Sequence, residues 1–178
     1  MSKILANKES LVVHAKQKDR KMNKIEDVKL TPHFSLYEFC KTSNKKYQQK
    51  NLEYGKSIQG RLESMADFLE KVREVCGCPM LITSGVRCPE LNKAVGGVPT
   101  SQHQTGHAVD FIPRGNGTIQ DHFCRIYNSN LIYDQLIAEE SGGKIWIHIS
   151  YIGMNGRRQT LYYNGKKYVI YNGKQTKG

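Results

Sequence analysis

The chain of 178 residues contains no long run of hydrophobic residues. Its apolar stretches are short, such as the one from Ile145 to Ile149, whereas a membrane-spanning helix needs roughly 20 apolar residues. The N-terminal segment has no apolar stretch of signal-peptide length and no small-residue cleavage site. The sequence therefore predicts no membrane span, and we expect the protein to be cytoplasmic when it is made.

The chain contains five cysteines, an odd number, which excludes complete pairing into disulfides within the chain. Cytoplasmic thiols normally stay reduced. Although Cys76 and Cys78 are separated by a single residue, no matching Cys or His pair lies at zinc-finger spacing. We therefore predict buried, structural thiols at all five positions, Cys40, Cys76, Cys78, Cys88 and Cys124.

Acidic residues are few, since 16 Asp and Glu stand against 27 Lys and Arg, and the formal net charge is +11 at pH 7. A surplus of this size attracts polyanions, and nucleic acid, anionic wall polymers and lipid headgroups all qualify. The positive surplus is equally compatible with a solubilising surface and basic segments at the two ends of the chain. The ten tyrosines form no RNA-binding motif, and no helix-turn-helix or zinc finger is present, so we predict no specific nucleic-acid partner.

The polar and apolar pattern predicts one folded domain with a polar segment at each end. Residues 1–29 are charged and lack a sustained apolar period, which is typical of a flexible basic N-terminal arm. The folded domain is predicted over residues 30–162. A C-terminal hairpin with an Asn-Gly turn, followed by a basic tail, is predicted over residues 163–178.

Several helices and strands are predicted within that domain. Apolar residues at three- and four-residue spacing over residues 58–76 predict the clearest helix. Capping-box spacing predicts helix starts at Ser35 and Thr118, and a proline predicts another at Pro89. Residues 41–55 are predicted to be a polar connection. Helices segregated from a small antiparallel sheet give an α+β fold class, with strands at residues 80–83, 108–112, 136–138 and 145–150.

Candidate metal ligands are His103, Asp110 and His148. A catalytic zinc needs three nitrogen or oxygen ligands from the protein and one open position. His103 and Asp110 can reach one ion if Gly106 lets the chain turn back between them. Alternation over residues 145–150 places Trp146 and His148 on one face and three isoleucines on a predicted core face. These residues alone do not decide whether a metal site is present, since a lone His is more often a surface residue or a buried residue whose nitrogens are hydrogen-bonded within the core.

The arrangement as a whole resembles the zinc D-alanyl-D-alanine carboxypeptidase family, murein peptidases that share a fold with the Hedgehog signalling domain. The family pattern S-x-H-x-x-G-x-A-x-D is matched by Ser101, His103, Gly106, Ala108 and Asp110. The patterns W-x-H and S-G-x-R are matched by Trp146, His148, Ser84, Gly85 and Arg87. Short phage and bacterial members are closer still, through segments at residues 34–39, 134–139 and 155–158. The resemblance covers about residues 30–162.

This resemblance implies a Zn²⁺ ion held by His103, Asp110 and His148, which activates water and polarises the scissile carbonyl. The resemblance also implies that Arg87 positions the substrate through a carboxylate, with a structural salt bridge as the alternative. Ser101 is expected to bind substrate or to orient a ligand, and Trp146 to wall the cleft or to fill the core.

The catalytic base is not where better-known members of the family have it. They place a proton-transferring residue two or three positions before the last ligand, where this chain has Trp146 and Ile145. Neither side chain transfers protons, so the nearest acidic candidates are Glu139 and Glu140. We predict Glu139 as the base, with His107 in reserve.

The resemblance implies a zinc metallopeptidase that acts on peptidoglycan peptides, either a D,D-carboxypeptidase or a murein endopeptidase. With no export signal, we expect a monomeric phage lytic enzyme, an endolysin, located in host cytoplasm or virion, whose basic surplus keeps it near anionic wall polymers. The alternative is a catalytically silent, zinc-containing wall-binding or virion structural protein, because one fold can serve several functions. Hydrolysis of purified murein separates the two.

Overall fold

A computed structural model describes residues 27–163 and 166–173. Its helices are α1 (Leu36–Cys40), a 3₁₀ helix (Lys45–Tyr47), α2 (Gln48–Ser57), α3 (Gln59–Cys76), α4 (Pro89–Ala94) and α5 (Ile119–Tyr127). Its strands are β1 (Met80–Ser84), β2 (Ala108–Pro113), β3 (Gln135–Ser141), β4 (Lys144–Ser150), β5 (Gln159–Tyr163) and β6 (Tyr168–Ile170). Most of the predicted N-terminal arm and the Asn-Gly turn of the predicted hairpin lie outside the described residues.

The six strands form one sheet in the order β1-β2-β4-β3-β5-β6. Neighbouring strands are antiparallel except β3 and β5, which are parallel. This parallel pair arises because the chain leaves β4 and passes to the far side of β3 before it pairs again. The predicted α+β class is confirmed, with a mixed sheet in place of a purely antiparallel one.

The two faces of the sheet have different roles. Cross-strand register aligns one row of mostly apolar residues that packs towards α5 and the core side chains of α3, namely Phe111, Ile147, Ala138 and Tyr162. The adjacent row points to the opposite face and contains Asp110, His148, Ile137 and Leu161. The sheet is therefore core on one side and the floor of a cleft on the other.

Strand β4 follows the predicted alternation with one exception. Ile147 and Ile149 are fully buried on the core face, as predicted. Ile145 is 47% exposed, so its predicted core position is wrong. The reason is that β2 pairs with β4 only from residue 147 onward, which leaves the hairpin end of β4 beyond the neighbouring strand.

The longest described helix is α3, and it buries one apolar side made of Leu62, Met65, Ala66, Phe68, Leu69, Val72 and Cys76. It ends at Gly77, whose φ of 67° forms a left-handed cap that glycine adopts without steric cost. The predicted helix is confirmed. Among the described residues, no helix is both long and apolar enough to cross a membrane.

Both predicted capping boxes are present. The Ser35 hydroxyl accepts from the backbone N–H of Glu38, and the Glu38 carboxylate accepts from the backbone N–H of Ser35. Thr118 and Asp121 make the same reciprocal pair at the start of α5.

The predicted polar connection over residues 41–55 is wrong, because most of it is helical. Helix α2 buries only Asn51, Leu52 and Gly55, so it carries no extended apolar stripe. Instead, the fully buried Asn51 amide donates to the carbonyls of Cys40 and Val86 and accepts from the N–H of Cys88. The hydrogen bonds of a polar side chain thus hold this helix in place, and a search for hydrophobic periodicity does not detect such a helix.

All five cysteines are free thiols. Four of them are buried, as predicted, whereas Cys124 is only partly buried and lies 3.4 Å from the hydroxyl of Tyr171. Burial raises the pKa of Cys40 and of Cys76 to about 12, so both stay protonated and unreactive near neutral pH.

Candidate metal centre

Three potential ligands converge on the open face of the sheet. Asp110 of β2 and His148 of β4 are direct register partners, and His103 reaches them from the loop that precedes β2. Nδ1 of His148 lies 2.8 Å from Oδ1 of Asp110, and Nε2 of His103 lies 3.3 Å from the same oxygen. One ligand atom from each residue falls within 4.8 Å of the others, so the group could bind a metal ion.

The loop that carries His103 is held by the backbone around it. Nδ1 of His103 lies 2.7 Å from the carbonyl oxygen of Gly85, which leaves Nε2 directed at Asp110. The backbone N–H of Arg87 donates to the carbonyl of His103 over 3.0 Å. Gly106 turns the chain with a φ of 72°, and a Cβ there would lie 2.9 Å from Leu62. The predicted turn of the chain at Gly106, between His103 and Asp110, is therefore present.

The protonation states suit a divalent cation. Burial holds the pKa of His103 below its ordinary value, which favours the neutral imidazole. Burial alone would raise the pKa of Asp110, but hydrogen bonds and electrostatic attraction from the imidazoles of His103 and His148 outweigh it and hold that pKa well below the ordinary value. A carboxylate and two imidazoles form a nitrogen and oxygen donor set of the kind found at catalytic zinc. The residues present therefore fit Zn²⁺.

Arg87 lies beside this cluster, with its Nη2 3.7 Å from Oδ2 of Asp110. Its side chain is 18% exposed. Burial lowers its pKa, although the charges of Asp110 and Glu139 oppose that shift. Its Nε is buried and has no hydrogen-bond partner among the described residues, which is uncommon for a buried donor.

Ser101 and Trp146 border the cleft on different sides. Ser101 lines the cavity that contains His103 and His148. Trp146 lines an adjoining cavity with Arg87, and its indole Nε1 is buried without a partner among the described residues. Trp146 is thus at the cleft wall.

Glu139 of β3 is half-buried on the cleft face, where it is the register partner of Trp146. Burial raises its pKa above the ordinary value, which favours a carboxyl group that can exchange a proton. Its neighbour Glu140 points to the other face and is exposed. His107 lines a separate cavity with Tyr151, so among these candidates Glu139 is the one placed beside the ligand cluster.

The cleft extends to both sides of the cluster. The two histidines line one cavity of about 400 Å³, and Trp146 and Thr42 line a second of about 370 Å³. The two share Arg87, Asp110 and Glu139. Each is large enough for part of a peptide, and they meet at the candidate metal centre.

Two further residues contribute to this region and are not among the site residues predicted from the sequence. Tyr168 of β6 lines the cavity with the histidines, and its hydroxyl donates to Oε1 of Glu139 over 3.3 Å. Its only sequence signal is its place in the predicted hairpin.

The second contributor is the fully buried Asp134, which forms a hydrogen bond with Gln102, the residue before His103. Oδ2 of Asp134 accepts from Gln102 over 2.8 Å, while Arg157 donates to both carboxylate oxygens over 2.6 and 2.7 Å. The segments at residues 134–139 and 155–158 thus meet through the pair of Asp134 and Arg157, which also holds the loop that carries the candidate ligand His103.

Comparison with known proteins supports the same chemistry. A family model described as Peptidase M15 matches residues 32–150, which is more than half of the chain and spans all three candidate ligands. A search of curated proteins finds no match.

Proposed function

This chain belongs to the Peptidase M15 family of zinc metallopeptidases, and we propose that it hydrolyses peptide bonds in the stem or cross-link peptides of bacterial peptidoglycan. The observation that carries the proposal is the convergence of His103, Asp110 and His148 at the centre of an open cleft. Zinc bound by these three residues would supply a Lewis acid that polarises the scissile carbonyl and activates water.

Glu139 is the proposed proton carrier. Its carboxylate would accept a proton from the attacking water as the new C–O bond forms. It would then deliver that proton to the amine nitrogen as the C–N bond breaks, so the peptide and water become one carboxylic acid and one amine, which at neutral pH are a carboxylate and an ammonium group. Its place beside Asp110 and its raised pKa support this role.

Arg87, Ser101 and Trp146 are the proposed substrate contacts. Arg87 and Trp146 line one side of the cleft, and each has a buried N–H without a partner among the described residues, which supports a hydrogen bond to a substrate oxygen. Ser101 lines the other side. Their distribution supports a substrate that extends across the metal centre.

The shape of the cleft favours a murein endopeptidase over a D,D-carboxypeptidase. A carboxypeptidase has to accommodate only one or two residues beyond the cut, whereas the two cavities here meet at Asp110 and continue in both directions. A net charge of +11 supports retention near anionic wall polymers, in keeping with a lytic role such as that of a phage endolysin.

The test compares Glu139→Gln with Glu140→Gln, a matched control whose side chain is exposed on the other face. Both proteins are loaded with zinc, and release of new amino ends from purified murein is measured. Glu139→Gln should keep its zinc and lose about 10²–10⁴-fold in rate, because the proton carrier is gone. Glu140→Gln should stay within twofold of the wild type.

Mass analysis of the products then separates the two activities. New ends within a stem peptide or cross-link, with no free terminal residue released, would support the endopeptidase. Release of single C-terminal residues alone would refute it in favour of the carboxypeptidase. Equal rates for Glu139→Gln and wild type would remove Glu139 from the mechanism.

A further inference from the structure

We propose that Tyr168 is a catalytic residue whose hydroxyl donates a hydrogen bond to the scissile carbonyl oxygen as negative charge develops on it. This inference rests on the proposed peptidase function and adds a contact from a part of the chain beyond the family match, which ends at residue 150. The hairpin of β5 and β6 would thus belong to the active site.

The sheet register explains how a late strand reaches the site. Tyr168 of β6 pairs with Tyr163 of β5, and the β3–β5 register ends one step earlier, at the pair of Ala138 with Tyr162. Continuing that register places Tyr163 beside Glu139, so Glu139, Tyr163 and Tyr168 follow one row across the sheet. Glu139 in turn pairs with Trp146. This row lies next to the row that contains Asp110 and His148, on the same face.

The contacts of Tyr168 place its hydroxyl in the cleft. It lines the same cavity as His103 and His148, and its oxygen lies 3.3 Å from Oε1 of Glu139. The ring is held by Tyr163, with a centroid distance of 5.2 Å and an interplanar angle of 54°. Tyr168 is 51% exposed, so a substrate bound in the cleft can reach it.

The hydroxyl is a donor throughout the working pH range. Loss of hydration raises the pKa of Tyr168 to about 12, and the charge and hydrogen bond of Glu139 act in the same direction. A phenol with this pKa cannot serve as a base near neutral pH, but it keeps its proton for donation.

The movement of charge during hydrolysis explains why one donor would serve two acceptors. Before reaction, the hydroxyl donates to the negatively charged carboxylate of Glu139. When Glu139 accepts the proton of water, it loses that charge while negative charge builds on the carbonyl oxygen. The hydrogen bond of Tyr168 would then be stronger to the carbonyl oxygen, so it would stabilise the transition state more than the ground state.

The test compares Tyr168→Phe with Tyr37→Phe, which removes a hydroxyl from an exposed tyrosine of α1 that lines neither cavity of the cleft. Because Tyr168 is half-exposed, its Phe variant should fold and bind zinc as the wild type does. Removal of one such donor typically lowers kcat by about 10²–10³-fold, and we expect that loss with KM changed less than threefold. Tyr37→Phe should change neither constant more than twofold.

A binding measurement gives a second readout. A phosphinate analogue of the cleaved bond carries tetrahedral oxygens, and calorimetry should show that Tyr168→Phe weakens its binding by a factor close to the loss in kcat. Binding of the product peptide should be unchanged. A purely structural role for the hairpin would instead alter both ligands equally.

The outcomes separate this inference from the proposed function. If wild type cleaves murein and Tyr168→Phe matches it in kcat and phosphinate affinity, the role of Tyr168 is overturned and the peptidase stands. If wild type cleaves no murein, both are overturned.

Discussion

Replacement of Gly85 by alanine tests how the backbone positions the candidate metal centre. The carbonyl of Gly85 accepts from Nδ1 of His103, and that contact aims Nε2 at Asp110. A Cβ at position 85 would lie 2.8 Å from Cα of Phe39 and closer still to the carbonyl oxygen of that residue. Backbone atoms form this obstacle, so a change of side-chain rotamer cannot relieve it.

The size of the effect follows from these contacts. The Phe39 carbonyl accepts from the N–H of Val86 over 2.8 Å, so a shift that makes room for the new methyl group strains this bond as well. Overpacking of this kind costs about 1–3 kcal/mol. At about 2 kcal/mol, a domain of this size loses about 4–8 °C in Tm. Displacement of the Gly85 carbonyl from His103 should in addition weaken zinc binding about 10–100-fold.

The measurement is a pair of titrations on Gly85→Ala and on Gly60→Ala, a matched control in α3. A Cβ on Gly60 meets nothing within 4 Å, so this variant should be more stable than wild type by about 0.4–1 kcal/mol and should bind zinc normally. Thermal unfolding gives the stability, and competition with a chromogenic chelator gives the zinc affinity.

Gly85→Ala with wild-type zinc affinity would refute the reasoning, whatever its Tm. That result would mean that the carbonyl of residue 85 does not control the orientation of His103. A loss of stability without a loss of zinc affinity would limit the role of Gly85 to packing.

Three further predictions concern the pair of Asp134 and Arg157, the polar helix and the metal ligands. Hydrogen bonds from Arg157 lower the pKa of Asp134 to about 2, so this carboxylate stabilises the fold above pH ~4 and loses its contribution as the pH falls through about 2. Asp134→Asn should therefore lose about 2 kcal/mol at pH 7 and about half of that at pH 3 in urea unfolding, and an equal loss at both pH values would contradict this origin. Asn51→Ala leaves two carbonyls and one N–H unpaired in the core, and we expect about 3 kcal/mol of destabilisation in urea at pH 7, against less than 1 kcal/mol if water replaces the amide. His148→Ala should fold but bind less than one equivalent of zinc by elemental analysis, and full zinc content would exclude His148 as a ligand.

The parts of the fold that follow local rules were predictable from the sequence. Apolar spacing marked α3, and hydroxyl and carboxylate residues three positions apart marked the starts of α1 and α5. Alternation along β4 placed His148 opposite a buried isoleucine face, with Ile145 as the exception because β2 does not extend beside it. These features depend on residues a few positions apart, where helix and strand periods apply directly.

Helix α2 and the contribution of Tyr168 depend on contacts that sequence periods do not encode. Asn51 fixes α2 through backbone groups up to 37 positions away. Tyr168 reaches Glu139 only because β5 crosses to pair in parallel with β3. The motifs located the three candidate ligands, whereas the tertiary path of the chain determined which carboxylate and which tyrosine lie beside them.

The central claim is a zinc-dependent peptidase centred on His103, Asp110 and His148. Its most direct test is the release of new amino ends from purified murein by zinc-loaded protein, by the same protein after chelation, and after zinc is returned. We predict that the zinc-loaded protein cleaves murein, that the chelated protein does not, and that cleavage returns when zinc is restored. Fully folded, zinc-loaded protein that releases no ends, or cleavage that survives complete removal of the metal, would contradict the account.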